Sequence, residues 1–461
     1  VPASRAPARA RPRATWRVGP ALAIVLAASA TSRLPAQARP YPGPELQATY
    51  QRMLKAVNRI PIFDHHAHPG FADDVDVDAM ASPPNYSESY RTRPENPEFV
   101  AAARALWGYP YPDFSEAHRT WLVEKKRALK AKLGREYFNQ VLDKAGIEAS
   151  VANRPVIADY LDPKRFVWVW FGDSFTYPFD VGGLTALNGD QGVYMPMQAA
   201  KLRKELNAAG LESLPADLAG YRVFVSRTLD ENKRKGGIAM KFEAAYFRSL
   251  RFGDPSESEA AAIYDKYHAG GVPTLAEYRT FQDYMMRFLF REAARLKVPV
   301  QFHSAVGIGD YFNMSEGNVF NLENVLRDPR YADVTFIMIH GGYPYEREAV
   351  WLGAAKNVYL DASFIGLLLY PADLKQVLRE WLLTFPEKVM FGSDAFPYND
   401  AFGAEESYWL AAVSARRALA AALAEMVSSG EVSEAQALRF AHMFLHDNAA
   451  RLYGMQTQAM K

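Results

Sequence analysis

The sequence contains no cysteine. This excludes a disulfide framework, a thiolate metal site and a cysteine nucleophile, and leaves nitrogen and oxygen as the only strong donors for a metal. It also fits an exported protein that needs no disulfides. The chain has no excess of one charge: 53 basic residues face 52 acidic ones, for a net charge of +1. No basic stripe marks a nucleic-acid partner. Beyond residue 38 no apolar run is long enough to cross a bilayer. Neither a phosphate-binding glycine loop nor a Gly-x-Ser-x-Gly elbow is present. What the chain does have is bulk. Its 461 residues, 49% of them hydrophobic, can bury a large core as one big domain or two, and 13% aromatics suit a lined pocket as well as a core.

Residues 1–38 read as a secretory signal. Arg5, Arg9, Arg11, Arg13 and Arg17 make a basic start, Ala21 to Ala30 is a short apolar stretch, and Ala36-Gln37-Ala38 is a small-x-small cleavage site. Removing its six arginines, Arg33 included, leaves 47 basic against 52 acidic residues. The mature chain, 39–461, is then acidic and is expected in the periplasm or outside the cell, with no membrane span and no nucleic-acid partner.

The most informative segment is 60–68, Ile-Pro-Ile-Phe-Asp-His-His-Ala-His. A short apolar run ends in Asp64, His66 and His68. Alternate side chains of a strand point the same way, so both imidazoles leave on one face, where they chelate a divalent metal. Isolated His-x-His pairs also occur on solvated strand ends. Here other strand ends carry similar groups. His303 closes Val-Pro-Val-Gln-Phe-His, His340 follows Val-Thr-Phe-Ile-Met-Ile, and Asp394 closes Lys-Val-Met-Phe-Gly-Ser-Asp.

The spacing predicts eight strands: Ile60–Phe63, Ala149–Asn153, Arg165–Phe171, Gly237–Phe242, Val298–Phe302, Val334–Ile339, Val358–Leu360 and Lys388–Phe391. Helical periodicity separates them, as over Thr280–Leu296 and Tyr370–Leu383. This is the pattern of a distorted (β/α)8 TIM barrel, with a doubly wound open sheet as the alternative. A closed barrel gathers the ends of the first, fifth, sixth and eighth strands over one mouth. Two insertions, 70–145 after the first strand and 174–236 after the third, carry further helices and either shape the pocket or pad the flank. One helix is expected over Glu116–Leu142.

The ordered set Asp64-x-His66-x-His68, His303, His340-Gly341-Gly342 and Gly392-Ser393-Asp394 resembles the amidohydrolase superfamily. The ending His446-Asp447-Asn448-Ala449-Ala450-Arg451-Leu452-Tyr453-Gly454 is similar to the closing helix of its amidohydrolase-related branch. The resemblance implies a metal at the mouth, zinc by default and one or two ions, bound by His66, His68, His303 and Asp394. Asp394 would also take the proton from the attacking water. His340 would be a second-metal ligand or a donor to the substrate's oxyanion. Lys241, ending Gly-Ile-Ala-Met-Lys, has three readings: a carbamate bridging two metals, a free ammonium that anchors substrate, or an ion pair with Glu243. The stretch that adds Tyr246 and Arg248 is similar to FluG-like amidohydrolases and makes both candidates for substrate binding. Asp64 is expected behind a histidine as an acceptor, and Asp361 at the pocket wall. The reading that follows is a hydrolase of an amide-type C–N bond or an ester in a small molecule. The alternatives are a decarboxylase of the same branch and a non-catalytic metal-binding barrel.

Overall fold

The computed structural model describes residues 43–74, 89–93, 95–304, 307, 309 and 312–455. The secretory signal expected over 1–38 lies outside them, as do residues 75–88 and 94 of the insertion expected over 70–145. All eight expected strands form: β1 (Ile62–Ala67), β2 (Ile147–Asn153), β3 (Phe166–Phe171), β4 (Gly237–Phe242), β5 (Val300–His303), β6 (Phe336–Ile339), β7 (Val358–Asp361) and β8 (Val389–Met390). They are parallel and pair strictly in chain order. Beyond β8 the chain turns back onto β1: His65 N–H donates to Phe391 O at 3.1 Å, Asp394 N–H to His66 O at 2.8 Å, and His68 N–H to Ala395 O at 2.8 Å. These bonds close the barrel. A doubly wound sheet, whose strand order reverses part-way, is excluded.

The strands are buried on both faces and therefore read as nearly continuous apolar runs. Trp168 and Trp170 on β3 are both core residues, and neither faces the mouth cleft. β4 begins at Gly237 because a Cβ there would come within 2.4 Å of the Trp170 ring. β1 runs four residues further than its apolar segment, through Asp64, His65 and His66. Polar side chains are tolerated inside it because each finds a partner across the barrel. Its pairing with β2 slips between Asp64 and Ala67, so the simple alternation of faces is broken there.

Helices cover the barrel. Leu275–Leu296 starts in a capping box in which Thr274 and Glu277 satisfy each other's backbone N–H groups. The helix expected over Glu116–Leu142 is two, Glu116–Leu133 and Glu136–Ala145, broken at Gly134 with φ 53°. An additional helix, Pro97–Trp107, is capped by Asn96 and ended by a left-handed Gly108. No helix among the described residues is long and apolar enough to cross a membrane.

The insertion after β1 is anchored to the long helix Ala404–Ser428 by a buried ion cluster. Lys126 Nζ lies 3.2 Å from Glu405 and 3.0 Å from Glu406. Trp107 Nε1 donates to Glu406 at 2.7 Å and Tyr137 OH to Glu405 at 2.6 Å. Removing one partner from such a cluster leaves buried charge uncompensated, at a cost of about 3–5 kcal/mol. Lys126→Met is therefore expected to lower stability by that order and to shift the urea unfolding midpoint clearly downward. A midpoint equal to the parent's would show that the cluster does not hold the insertion in place.

Candidate metal centre at the barrel mouth

Of the expected metal ligands, His66 lies on β1, His68 just past its end, and Asp394 in the turn after β8. His66 Nε2 lies 3.1 Å from Asp394 Oδ1, His68 Nε2 3.5 Å from the same oxygen, and the two imidazole nitrogens are 3.3 Å apart. Metal–nitrogen bonds of about 2.0–2.1 Å put two ligand atoms of a tetrahedral site roughly 3.3–3.4 Å apart. The three atoms thus have the spacing of one face of a coordination shell, and together they form a group able to hold a metal ion.

The protonation of His66 agrees. Asn153, ending β2, brings its amide nitrogen to 2.9 Å from His66 Nδ1, while its Oδ1 has no partner. With the amide turned by half a turn, its oxygen accepts from Nδ1–H, and Nε2 keeps its lone pair for a metal. Burial, then the charge of Lys241, hold the His66 pKa well below the usual range, so the ring is neutral, the form that ligates. Asn153 was not singled out from the sequence. Its signal was there: a polar residue ending an apolar strand, as His303 and Asp394 do.

The other candidates divide. His303 and His340 form a second pair, His340 Nε2 lying 3.1 Å from His303 Nδ1. The His340 ring meets His66 edge-on at 5.6 Å between centroids. Among the described residues the grouped trio is His66, His68 and Asp394, and His303 sits with His340 beside it. Lys241 Nζ is 3.4 Å from His66 Nε2. Tyr246 lines the cleft with its ring 4.4 Å from that of His303. Glu243, Phe364, Phe396 and Tyr398 complete the wall. Arg248 corrects the expectation of a substrate-gripping guanidinium. It points away from the cleft, 2.5 Å from Asp283 and stacked over Phe252. Its donors are already spent, because Phe247 between Tyr246 and Arg248 turns the arginine to the outer side.

Three cleft residues other than glycine hold left-handed backbone: His340 (φ 66°), Phe364 (φ 61°) and Asp394 (φ 54°). Such conformations cost of order 1–3 kcal/mol each and persist only where neighbours impose them. For Asp394 the neighbour is Asp64. Asp64 was expected to orient a histidine; instead its carboxylate accepts from Ser393 N at 2.7 Å, Ser393 Oγ at 2.7 Å and Ser150 Oγ at 2.9 Å. The slip in β1 explains the difference, since Asp64 no longer shares a face with His66.

Residues 240–455 match the family model described as Amidohydrolase (Amidohydro_2). The protein fluG of Emericella nidulans is 30% identical over 161 residues, which are 35% of this chain and 18% of that relative. The chain thus spans less than a fifth of that relative's length. Residues 240–455, just under half of the chain, thus resemble the amidohydrolase superfamily. Solved structures with the same fold include a metal-dependent hydrolase, so described, from Lactobacillus casei (TM-score 0.57, 19% identity, 87% of this chain and 97% of that one). Another is glucuronate isomerase from Caulobacter crescentus (TM-score 0.59, 13% identity, 90% and 95%).

The end of β4 and the turn after it, which carry Lys241, Glu243 and Tyr246, rest on a further buried acid. Both oxygens of Asp173 accept from Glu243 N, at 3.0 and 2.9 Å. Burial raises the Asp173 pKa to about 7, against the lowering effect of Glu243 N–H and the charges of Lys201 and Lys241. The unfolded value is about 3.9. The neutral form therefore favours the fold: its contribution is complete below about pH 4 and is lost as pH rises toward 7. Asp173→Asn, which cannot ionise, is expected to flatten the fall in thermal stability between pH 5 and 8 by the order of a few kcal/mol. Equal slopes for variant and parent in melting curves across that range would remove the effect.

Proposed function

We propose that the protein is a metal-dependent hydrolase that cleaves an amide-type C–N bond or an ester in a small molecule. The observation that carries this reading is Asp394 Oδ1, placed within 3.1–3.5 Å of the lone-pair nitrogens of His66 and His68. The donor set fits a divalent ion held by His66, His68 and Asp394, with His303, His340 and Lys241 beside it for a second ion or for the substrate. Zinc is the default for such donors. A bound ion supplies Lewis acidity, lowering the pKa of water from about 15.7 to about 7 and polarising a carbonyl oxygen.

The residues supply the rest. Asp394 is the one carboxylate of the trio, and its side chain remains partly exposed to the cleft. It receives the proton of the attacking water and passes it to the leaving nitrogen or oxygen. Phe364, Phe396, Tyr398 and Tyr246 screen the reacting centre from bulk water. Lys241, 3.4 Å from His66 Nε2, would help hold a second ion if carbamylated, or as an ammonium would attract an anionic group of the substrate. The same proposal places the enzyme outside the cytoplasm with residues 1–38 removed, which N-terminal sequencing of the exported chain checks.

Asp394→Asn is expected to lower turnover of amide and ester substrates about 10²–10⁴-fold, the range of a general base, while elemental analysis still finds much of the metal. Full turnover in that variant would overturn the assignment. Elemental mass spectrometry of the parent, purified with bicarbonate, separates the two forms of the site. One metal per chain is expected for the trio alone and two for a carbamylated Lys241.

A further inference from the structure

Behind the cleft runs an unbroken chain of buried hydrogen bonds whose polarity the partners fix. Gln301 Nε2 donates to Tyr453 OH at 2.8 Å. Tyr453 OH is 2.8 Å from His65 Nε2, and His65 Nδ1 is 2.7 Å from Asp361 Oδ2. From the other side, Asp361 Oδ1 accepts from Ser363 Oγ at 2.6 Å, Ser363 N at 3.1 Å and His340 N at 2.9 Å. His340 Nδ1 then lies 3.0 Å from Ser363 Oγ and 3.1 Å from Ser363 O. Asp361, His65 and Ser363 are all fully buried.

A carbonyl oxygen can only accept, so His340 Nδ1 carries hydrogen. Ser363 Oγ has given its hydrogen to Asp361, so it too accepts from Nδ1. His65 Nδ1 faces a carboxylate and carries hydrogen, which leaves His65 Nε2 to accept from Tyr453. Every donor in the chain points toward Asp361.

We propose that Asp361 is the positioning residue of the centre: it fixes His340 as the Nδ1–H tautomer and so turns the lone pair of Nε2 toward His303 and the cleft. Asp361 acts twice on the same residue. It orders Ser363 behind the ring, and it binds the N–H of His340, holding the left-handed backbone from which the ring projects. A neutral His340 held this way has no hydrogen on Nε2 and does not donate to an oxyanion. Of the two roles set out for His340, ligation remains. The His65 arm keeps the carboxylate in place from below and ties it to Tyr453 in the closing segment of the chain. The proposal rests on the hydrolase reading only in taking His340 as part of the site.

The test is ring-nitrogen NMR on metal-free, substrate-free protein labelled with 15N-histidine, with the His65 and His340 signals assigned by single substitutions. Both rings are expected as Nδ1–H tautomers in the parent. In Asp361→Asn the amide oxygen can still receive Ser363 and His340 N–H, while its NH2 faces His65. His340 should then stay Nδ1–H and His65 should switch to Nε2–H. In Asp361→Ala the His340 signals should move to a tautomer mixture, and Zn2+ retention in a competitive chelator titration should weaken about 10–100-fold. Asn at this position should restore most of that affinity. A His340 found as Nε2–H in the parent, or unchanged His65 and His340 signals in both variants, would overturn the proposal. Because no turnover is measured, a failed search for hydrolase substrates leaves this result standing.

Discussion

The centre depends on the seam where the chain after β8 returns to β1. A barrel of parallel strands can close only if its first and last strands meet, and here the bonds that close it also assemble the chemistry. His66 O accepts from Asp394 N, so the backbone of a ligand on one strand positions the backbone of the carboxylate on the other. Asp64 reinforces the seam by gripping Ser393 through both backbone and hydroxyl. Two histidines and an aspartate more than three hundred residues apart in sequence are thereby brought within one coordination shell of each other.

The seam also shows why some features were legible in the sequence and others were not. Strand positions were readable because both faces of a barrel strand are buried, so most strands are largely apolar runs, several with a polar residue at or just past the end. His66, His68 and Asp394 stood out for that reason. The break at Gly134 was missed because helical periodicity continues across it; only a glycine marks the change of direction. Asp64 was misdirected for a related reason, whereas the expectation for Arg248 rested on the resemblance of its stretch to FluG-like amidohydrolases. Strand alternation predicts facing from parity, and one slip in pairing or one extra residue in a turn reverses it. Asn153 carried the local signal of a polar residue ending an apolar strand, but its partner, like that of Ser363, lies on another strand, which no local pattern encodes.

Buried charge is handled in two ways. At Asp361 the carboxylate stays ionised: burial pushes its pKa up, but the hydrogen bond from His65, with further donors such as Ser363, brings it below the usual carboxylate range. At Asp64 hydrogen bonds from Ser393 and Ser150 only partly offset burial, and the pKa rises to about 7. The difference is the neighbour's chemistry. Asp361 receives a ring N–H as well as hydroxyl and backbone N–H groups, whereas Asp64 receives hydroxyl and backbone N–H groups alone. The acid behind His340 can therefore hold its charge without a metal, while the acid behind Ser393 sits near its titration point.

Phe396 and Tyr398 line the metal cleft, whereas Pro397 and Asn399, their neighbours in the chain, line a separate groove bordered by Phe71, Lys126 and Lys130. Residues 396–399 run between the two spaces, with alternate residues lining either side. Whatever occupies one side sets the width of the other, since packed atoms in so thin a wall have nowhere else to go. The metal cleft and the groove of the β1 insertion are thus two rooms with one wall, and a change in the loop that remodels either is paid for in both.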